Sequence, residues 1–295
     1  MNGRRDSWGL AEGDPITAEL TAMSLLGGGA AYEAYLAFDE ITYAPVVVKV
    51  VRPAQVDDET TLRGLRREVQ TLADLGHPAL VRALRAETEG ERPHVVLENL
   101  DGPRLSSLVR RYGALEPQQY LPMAIEVASA LHYMHRVGYL HLDVKPSNII
   151  MGAPAKLIDL SVARTVSRAA DLTYAIGTDD YMSPEQCDPP RTGVPGPASD
   201  VWGLGAALFQ AVSGYRAFDD TQPQGQDVRD RFPQLVDPPR VLPERVSHEV
   251  AEVVLACLER QPEDRPRPAE VADRLGPVLE GMPRGRLAGF KVGAH

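Results

Sequence analysis

The chain has 295 residues, 43% hydrophobic and 24% charged, which suits one large globular domain or two lobes with separate cores. A net charge of -10 argues against a broad nucleic-acid surface, and two distant cysteines, Cys187 and Cys257, argue against a disulfide framework or a zinc site and fit a reducing cytosol. The opening MNGRRDSWGLAEGD has no apolar core behind its arginines, and the longest apolar run, near Val201–Val212, is too short and glycine-broken to cross a bilayer, so neither a signal peptide nor a membrane span is expected.

In chain order, residues 1–18 read as a flexible tail. From Leu20 to about Leu100 the pattern is rich in strands. Leu26 to Leu36 reads as strand, glycine turn, strand, and Val46–Val51 is a β-branched run interrupted only by Lys49. A helix is expected over Glu59–Leu75, with Leu62, Leu65, Val69 and Leu72 at helical spacing, Glu68 at the flank of that stripe and Gly76-His77-Pro78 as its stop. A short strand covers His94–Leu100. After Asp101-Gly102 the character turns helical. Helices are expected at Pro117–Arg136, at Ser199–Val212 (apolar nearly all round, hence buried), at His248–Glu259 and at Pro268–Leu279. Lys156–Leu160 reads as a short strand, 161–198 as loop, and 223–243 as an irregular surface stretch. The tail after Gly281, with Arg284, Arg286 and Lys291, reads as a solvated basic run.

One stretch stands apart. Tyr139–Ile150, YLHLDVKPSNII, places His141, Asp143, Lys145 and Asn148 among apolar neighbours that want burial, as a site held on a rigid scaffold requires. Only four lysines occur, so Lys49 in an apolar strand needs an anion to meet, and Glu68, 19 residues on, can hold its ammonium. Asp143 can accept a hydroxyl's hydrogen bond and proton, Asn148 and Asp159 offer hard oxygens suited to Mg²⁺, and Lys145 can neutralise a transferred phosphoryl group. These residue types fit phosphoryl transfer, which needs placed charge more than covalent chemistry.

Over roughly residues 20–280 this set, in this order, resembles the eukaryotic-like (Hanks-type) serine/threonine protein kinases of bacteria. Val46-Val-Val-Lys49 is similar to the lysine strand, Glu68 to its helix partner, His141-Leu-Asp-Val-Lys-Pro-Ser-Asn148 to the catalytic loop and Asp159-Leu-Ser161 to the metal-binding triplet. Ser183-Pro-Glu185 resembles the end of the activation segment, Asp200 the aspartate that braces the catalytic loop, and Arg265 the arginine that pairs with that glutamate. Lys145 and Gly177-Thr178 resemble the serine/threonine group. The resemblance implies an α+β, bilobal fold: a strand-rich N-lobe at about 19–98, a helical C-lobe at about 102–280 and a basic tail at 281–295. It further implies ATP between the lobes, covered by Gly27, Gly28 and Gly29, with adenine near Leu26, Ala34, Val47, Leu97 and Ile150 and backbone hydrogen bonds from the hinge Glu98–Leu100. Lys49 and Glu68 would serve the phosphates, Asp143 and Lys145 catalysis, and Asn148 and Asp159 the metal, Mg²⁺ with Mn²⁺ as an alternative. Partners would be proteins with Ser/Thr acceptors; any regulator would be a separate protein, and a cytoplasmic location is expected.

The departures carry expectations of their own. Tyr32 stands where the family has its third glycine, Ala31 at the aromatic tip and Ala34 for valine, and three consecutive glycines are expected to loosen the turn. Leu142 replaces the arginine that reads an activation-segment phosphate, so such phosphorylation is not expected to be required. Ser161 replaces a glycine and tolerates positive φ less well. Two rival readings stay open: a pseudokinase serving as a nucleotide-binding scaffold, motivated by the altered turn, and a small-molecule phosphotransferase of similar fold.

Overall fold

Five valines in Ala44–Val51 (β3) make the centre of the fold, because β-branched side chains pack well on a pleated surface. The computed structural model describes residues 6–219 and 231–282. β1 (Leu20–Gly28), β2 (Tyr32–Asp39), β3, β4 (Ala83–Glu87) and β5 (His94–Glu98) form an antiparallel sheet in the order β1-β2-β3-β5-β4. Alternation along β3 sends Val46, Val48 and Val50 to one face and Val47 and Lys49 to the other. Helix α1 (Glu59–Asp74) follows β3 and starts at Asp58, whose carboxylate accepts from the Thr61 N–H at 2.8 Å. Its inward stripe buries Leu65, Glu68, Thr71 and Leu72.

Below the sheet come α2 (Leu105–Tyr112), α3 (Pro117–Arg136), the two-residue strands β6 (Tyr139–Leu140), β7 (Ile149–Ile150), β8 (Lys156–Leu157) and β9 (Arg164–Thr165), and α4 (Val166–Ala170). Next are α5 (Pro184–Cys187), α6 (Pro189–Thr192), α7 (Pro197–Ser213), α8 (His248–Cys257) and α9 (Pro268–Glu280). α7 is buried on nearly every side and packs against α3 and α8. The α+β class and the two-part layout match the expectation.

Of the two layouts that length and composition allow, a shared core is the one found: one apolar cluster runs from Val51, Leu65 and Val95 through Leu80 and Leu157 to α7 and Leu275. The chain between α1 and β4 makes this join, with the Val81 N–H donating to Leu157 O and the Leu157 N–H to Ala79 O. A first correction concerns the expected tail, which is not loose over residues 6–18. Ile16 is buried, and Trp8 and Leu10 pack with it on the outer face of the sheet against Tyr35, Val46 and Val48. The Trp8 indole donates to Val51 O at 2.8 Å, and the Arg92 guanidinium lies 4.7 Å from its ring. A sheet face lined with valine and tyrosine demands a cover, and this segment supplies it. Trp8→Ala should therefore cost about 2 kcal/mol of stability in urea unfolding; a loose tail would give no change.

A second correction concerns 161–198, which holds β9, α4, α5 and α6 rather than loop alone. Elements of two to five residues are too short to show a period; Thr165 caps α4, and Pro184 and Pro189 open α5 and α6. Finally, the strand expected at Lys156–Leu160 stops at Leu157, and the chain then takes the unusual backbone described below. Residues 1–5, residues 220–230 with the 223–230 part of the irregular stretch, and the tail with Arg284, Arg286 and Lys291 lie outside the described residues. Among the described residues, no helix is long and apolar enough to cross a membrane.

Candidate active site

Between the sheet and the helical body lies a cavity of about 790 Å³. The sequence candidates Leu26, Gly27, Gly28, Gly29, Ala34, Val47, Lys49, Glu68, Leu97, Glu98, Leu100 and Ile150 all line it, together with Lys145, Asn148 and Asp159. Register brings this about: Lys49 pairs with Ala34 on β2 and Val95 on β5, while Val47 pairs with Leu36 and Leu97.

At the back of the cavity, Lys49 Nζ donates to both Glu68 oxygens at 2.8 Å and to Asp159 Oδ1 at 3.1 Å. Burial pushes the Lys49 ammonium toward losing its proton, but the Glu68 and Asp159 carboxylates outweigh it and hold its pKa above the ordinary value. Burial likewise pushes Asp159 upward, and the Lys49 charge wins, holding this carboxyl below the usual range. Both groups are therefore ionised at neutral pH. Asp159 sits at φ 66°, a conformation costly for a residue with a side chain and frequent at functional sites. Ser161, which tolerates positive φ less well than a glycine, is not among the positive-φ residues; at this site Leu142 at φ 62° and Asp159 adopt the left-handed backbone.

Asp143 does not itself line the cavity but contacts two residues that do, Lys145 and Asn148, and it is surrounded by donors. Its Oδ2 accepts from Lys145 Nζ at 2.6 Å and Asn148 Nδ2 at 3.0 Å, and its Oδ1 accepts from Thr178 Oγ1 at 2.7 Å. Lys145 also donates to Thr178 Oγ1 at 2.5 Å. The loop is hung from α7: Asp200 accepts from the N–H groups of His141 and Leu142 at 2.9 and 2.7 Å and contacts His135 Nε2 at 2.9 Å. His141 is fully buried, with Nε2 3.2 Å from Ile158 O and Nδ1 accepting from the Asp143 N–H, a packed bracing group.

Two features escaped the sequence. Glu98 does not offer its backbone N–H to the cavity, because that group donates to Arg82 O at 3.0 Å; its side chain accepts from Lys156 Nζ at 2.5 Å across the cleft. Lone charges on two short strands carry no pairing signal. The triple-glycine turn is also pinned rather than loose. A Cβ on Gly28 would fall 2.5 Å from Tyr32 O, the Gly29 N–H donates to that same oxygen at 3.0 Å, and Arg52 Nε donates to Gly29 O at 2.6 Å.

The family model described as "Protein kinase domain" matches residues 20–274: the chain belongs to the protein kinase family. It is similar to serine/threonine-protein kinase PknB of Mycobacterium leprae, 34% identical over 272 residues covering 88% of this chain and 43% of that protein. PknB of Mycobacterium tuberculosis is 33% identical (88% of this chain, 42% of that protein), and PknB of Mycolicibacterium smegmatis 32% identical with the same coverage. The chain thus spans less than half the length of these curated relatives.

Proposed function

We propose that this chain is a serine/threonine protein kinase that transfers the γ-phosphate of ATP to protein hydroxyls. The observation that carries this reading is the Asp143 carboxylate, fixed by Lys145, Asn148 and Thr178 beside a cavity that Lys145, Asn148 and Lys49 line. In this reading Lys49, held by Glu68, offers its ammonium to the nucleotide phosphates. Asp143 orients the acceptor hydroxyl and takes its proton, and Lys145 offsets charge on the group in transfer.

The donor set also suits a divalent cation. Asn148 spends its amide N–H on Asp143, leaving the oxygen, and Asp159 adds an ionised carboxylate. Two such oxygens suit Mg²⁺, which is typically held by one or two protein oxygens with the rest from phosphate and water. When bound, it would neutralise phosphate charge.

Activation-segment phosphorylation has an apolar substitute in this chain. Leu142 is buried with Leu140, Ala169, Leu172 and Ile176, so the segment is held to the catalytic loop by apolar burial. Converting Thr165, Ser167 and Thr173 together to alanine should leave turnover essentially unchanged, with a stability loss of about 1 kcal/mol from the Thr165 cap. Loss of turnover in a folded triple variant would overturn this.

The test of the whole reading is incubation with Mg²⁺ and radiolabelled ATP, with a basic protein or small alcohols as acceptors. Label on protein hydroxyls, including the chain's own, is the expected result. Label only on the alcohols would favour a small-molecule phosphotransferase; nucleotide bound without transfer would favour a scaffold.

A further inference from the structure

The tyrosine in the glycine-rich turn makes contacts that the reading above leaves unused. Tyr32 begins β2, and its phenol crosses to α1, where it donates to Thr61 O at 3.0 Å. Its ring lies 4.9 Å from Lys49 Nζ, inside the roughly 6 Å reach of a cation–π contact. α1 is bare at the point of approach: a Cβ on Gly64 would stand 3.3 Å from the Tyr32 hydroxyl. Burial, then the nearby Glu68 carboxylate, raises the phenol's pKa above its ordinary value, so the group keeps its proton and remains a donor. The backbone of the same residue holds the turn, since Tyr32 O accepts the Gly29 N–H. One residue therefore touches the turn, the lysine and the helix that carries Glu68.

We propose that Tyr32 is a positioning residue for phosphoryl transfer: its phenol ties the nucleotide-covering turn to the first turn of α1 while its ring roofs Lys49, which keeps the Lys49–Glu68 pair assembled. The proposal rests on the kinase reading. Thr61 and Glu68 share one helix, about two turns apart. A rotation or outward swing of α1 would draw Thr61 from Tyr32 and Glu68 from Lys49 together, so holding one contact favours the other. The tyrosine thus supplies α1 with an anchor from the sheet.

Two variants separate the parts. Tyr32→Phe keeps the ring over Lys49 and loses the tether; Tyr32→Gly loses both. Tyr32→Phe should lower kcat roughly five-fold, the scale of one lost hydrogen bond, and Tyr32→Gly by an order of magnitude or more. The effect should fall on kcat more than on KM for ATP, because charge placement matters most as the transition state forms. Melting temperatures should fall by about a few degrees in Tyr32→Phe and by more in Tyr32→Gly, with both variants folded at assay temperature, and amide hydrogen exchange in residues 59–68 should quicken in both. A Tyr32→Gly protein with kcat equal to or above the parent, or unchanged exchange in α1, would overturn the proposal. A parent that transfers no phosphate would sink the kinase reading instead, while exchange in α1 would still decide whether the tether exists.

Discussion

Asp143→Asn should lower kcat by about 10²–10⁴-fold, the range by which a positioned acid or base accelerates reactions. An amide cannot take the hydroxyl proton. It also disturbs the donors already there: the carboxylate accepts from Lys145, Asn148 and Thr178, and an asparagine must turn its own NH₂ toward one of them. Nucleotide affinity should change little, because Lys49, Glu68 and Asp159 lie on the far wall and keep their contacts. Titration calorimetry with ATP beside a turnover assay reads both quantities. An Asp143→Asn protein that kept most of the parent's kcat would remove Asp143 from the role assigned to it.

Arg265→Ala should cost about 3–5 kcal/mol, because it leaves Glu185 charged and buried with the Ser199 hydroxyl but without its cation. The pair is bidentate at 2.7 and 3.0 Å, with both side chains almost wholly sealed from solvent. Arg265 further donates to the carbonyls of Glu259, Arg260 and Ala198, and its guanidinium lies 5.0 Å from the Trp202 ring, so the deletion also strands acceptors. The melting temperature should fall by on the order of 10 °C. Arg265→Lys should recover only part of this, since a single ammonium cannot replace the two-pronged contact. The pH dependence has a definite sign. Burial pushes Glu185 upward, but Arg265, then Ser199, outweigh it and hold its pKa below the ordinary 4.5. A carboxyl lowered in the folded state contributes fully above its ordinary value and loses that contribution as pH falls through the folded value. The parent should therefore lose stability below about pH 4.5, and Arg265→Ala should already have lost this increment at neutral pH. Equal acid-unfolding midpoints for the two proteins would contradict the assignment.

Several parts of the site were legible because their signals are local. Lys49 interrupts a β-branched run, and helical spacing from Leu65 and Leu72 puts Glu68 on the inward side, where it is 1% exposed. The catalytic stretch declared itself by polar residues set among apolar ones. Other parts had no such signal. Trp8 in a short polar segment reads like any exposed terminus, yet it meets Val51 O, 43 residues away. Nothing near Lys156 points to Glu98, 58 residues off. Leu142 reads as a missing arginine, and only its neighbours Ala169, Leu172 and Ile176 reveal that it is a packing residue in its own right.

By itself, the sequence determined the α+β class, the principal helices, the central strand and the residue types that could carry phosphoryl chemistry. These follow from periodicity and from the chemistry of single side chains, which act over a few residues. The tertiary structure alone decided the joined core, the covering of the outer sheet face by residues 6–18, the pinning of the glycine turn by Arg52 and the reach of Tyr32 to α1. Each is a contact across a long stretch of chain. Such contacts are selected by shape and by the requirement that every buried polar group find a partner, conditions that exist only once the neighbouring elements have packed.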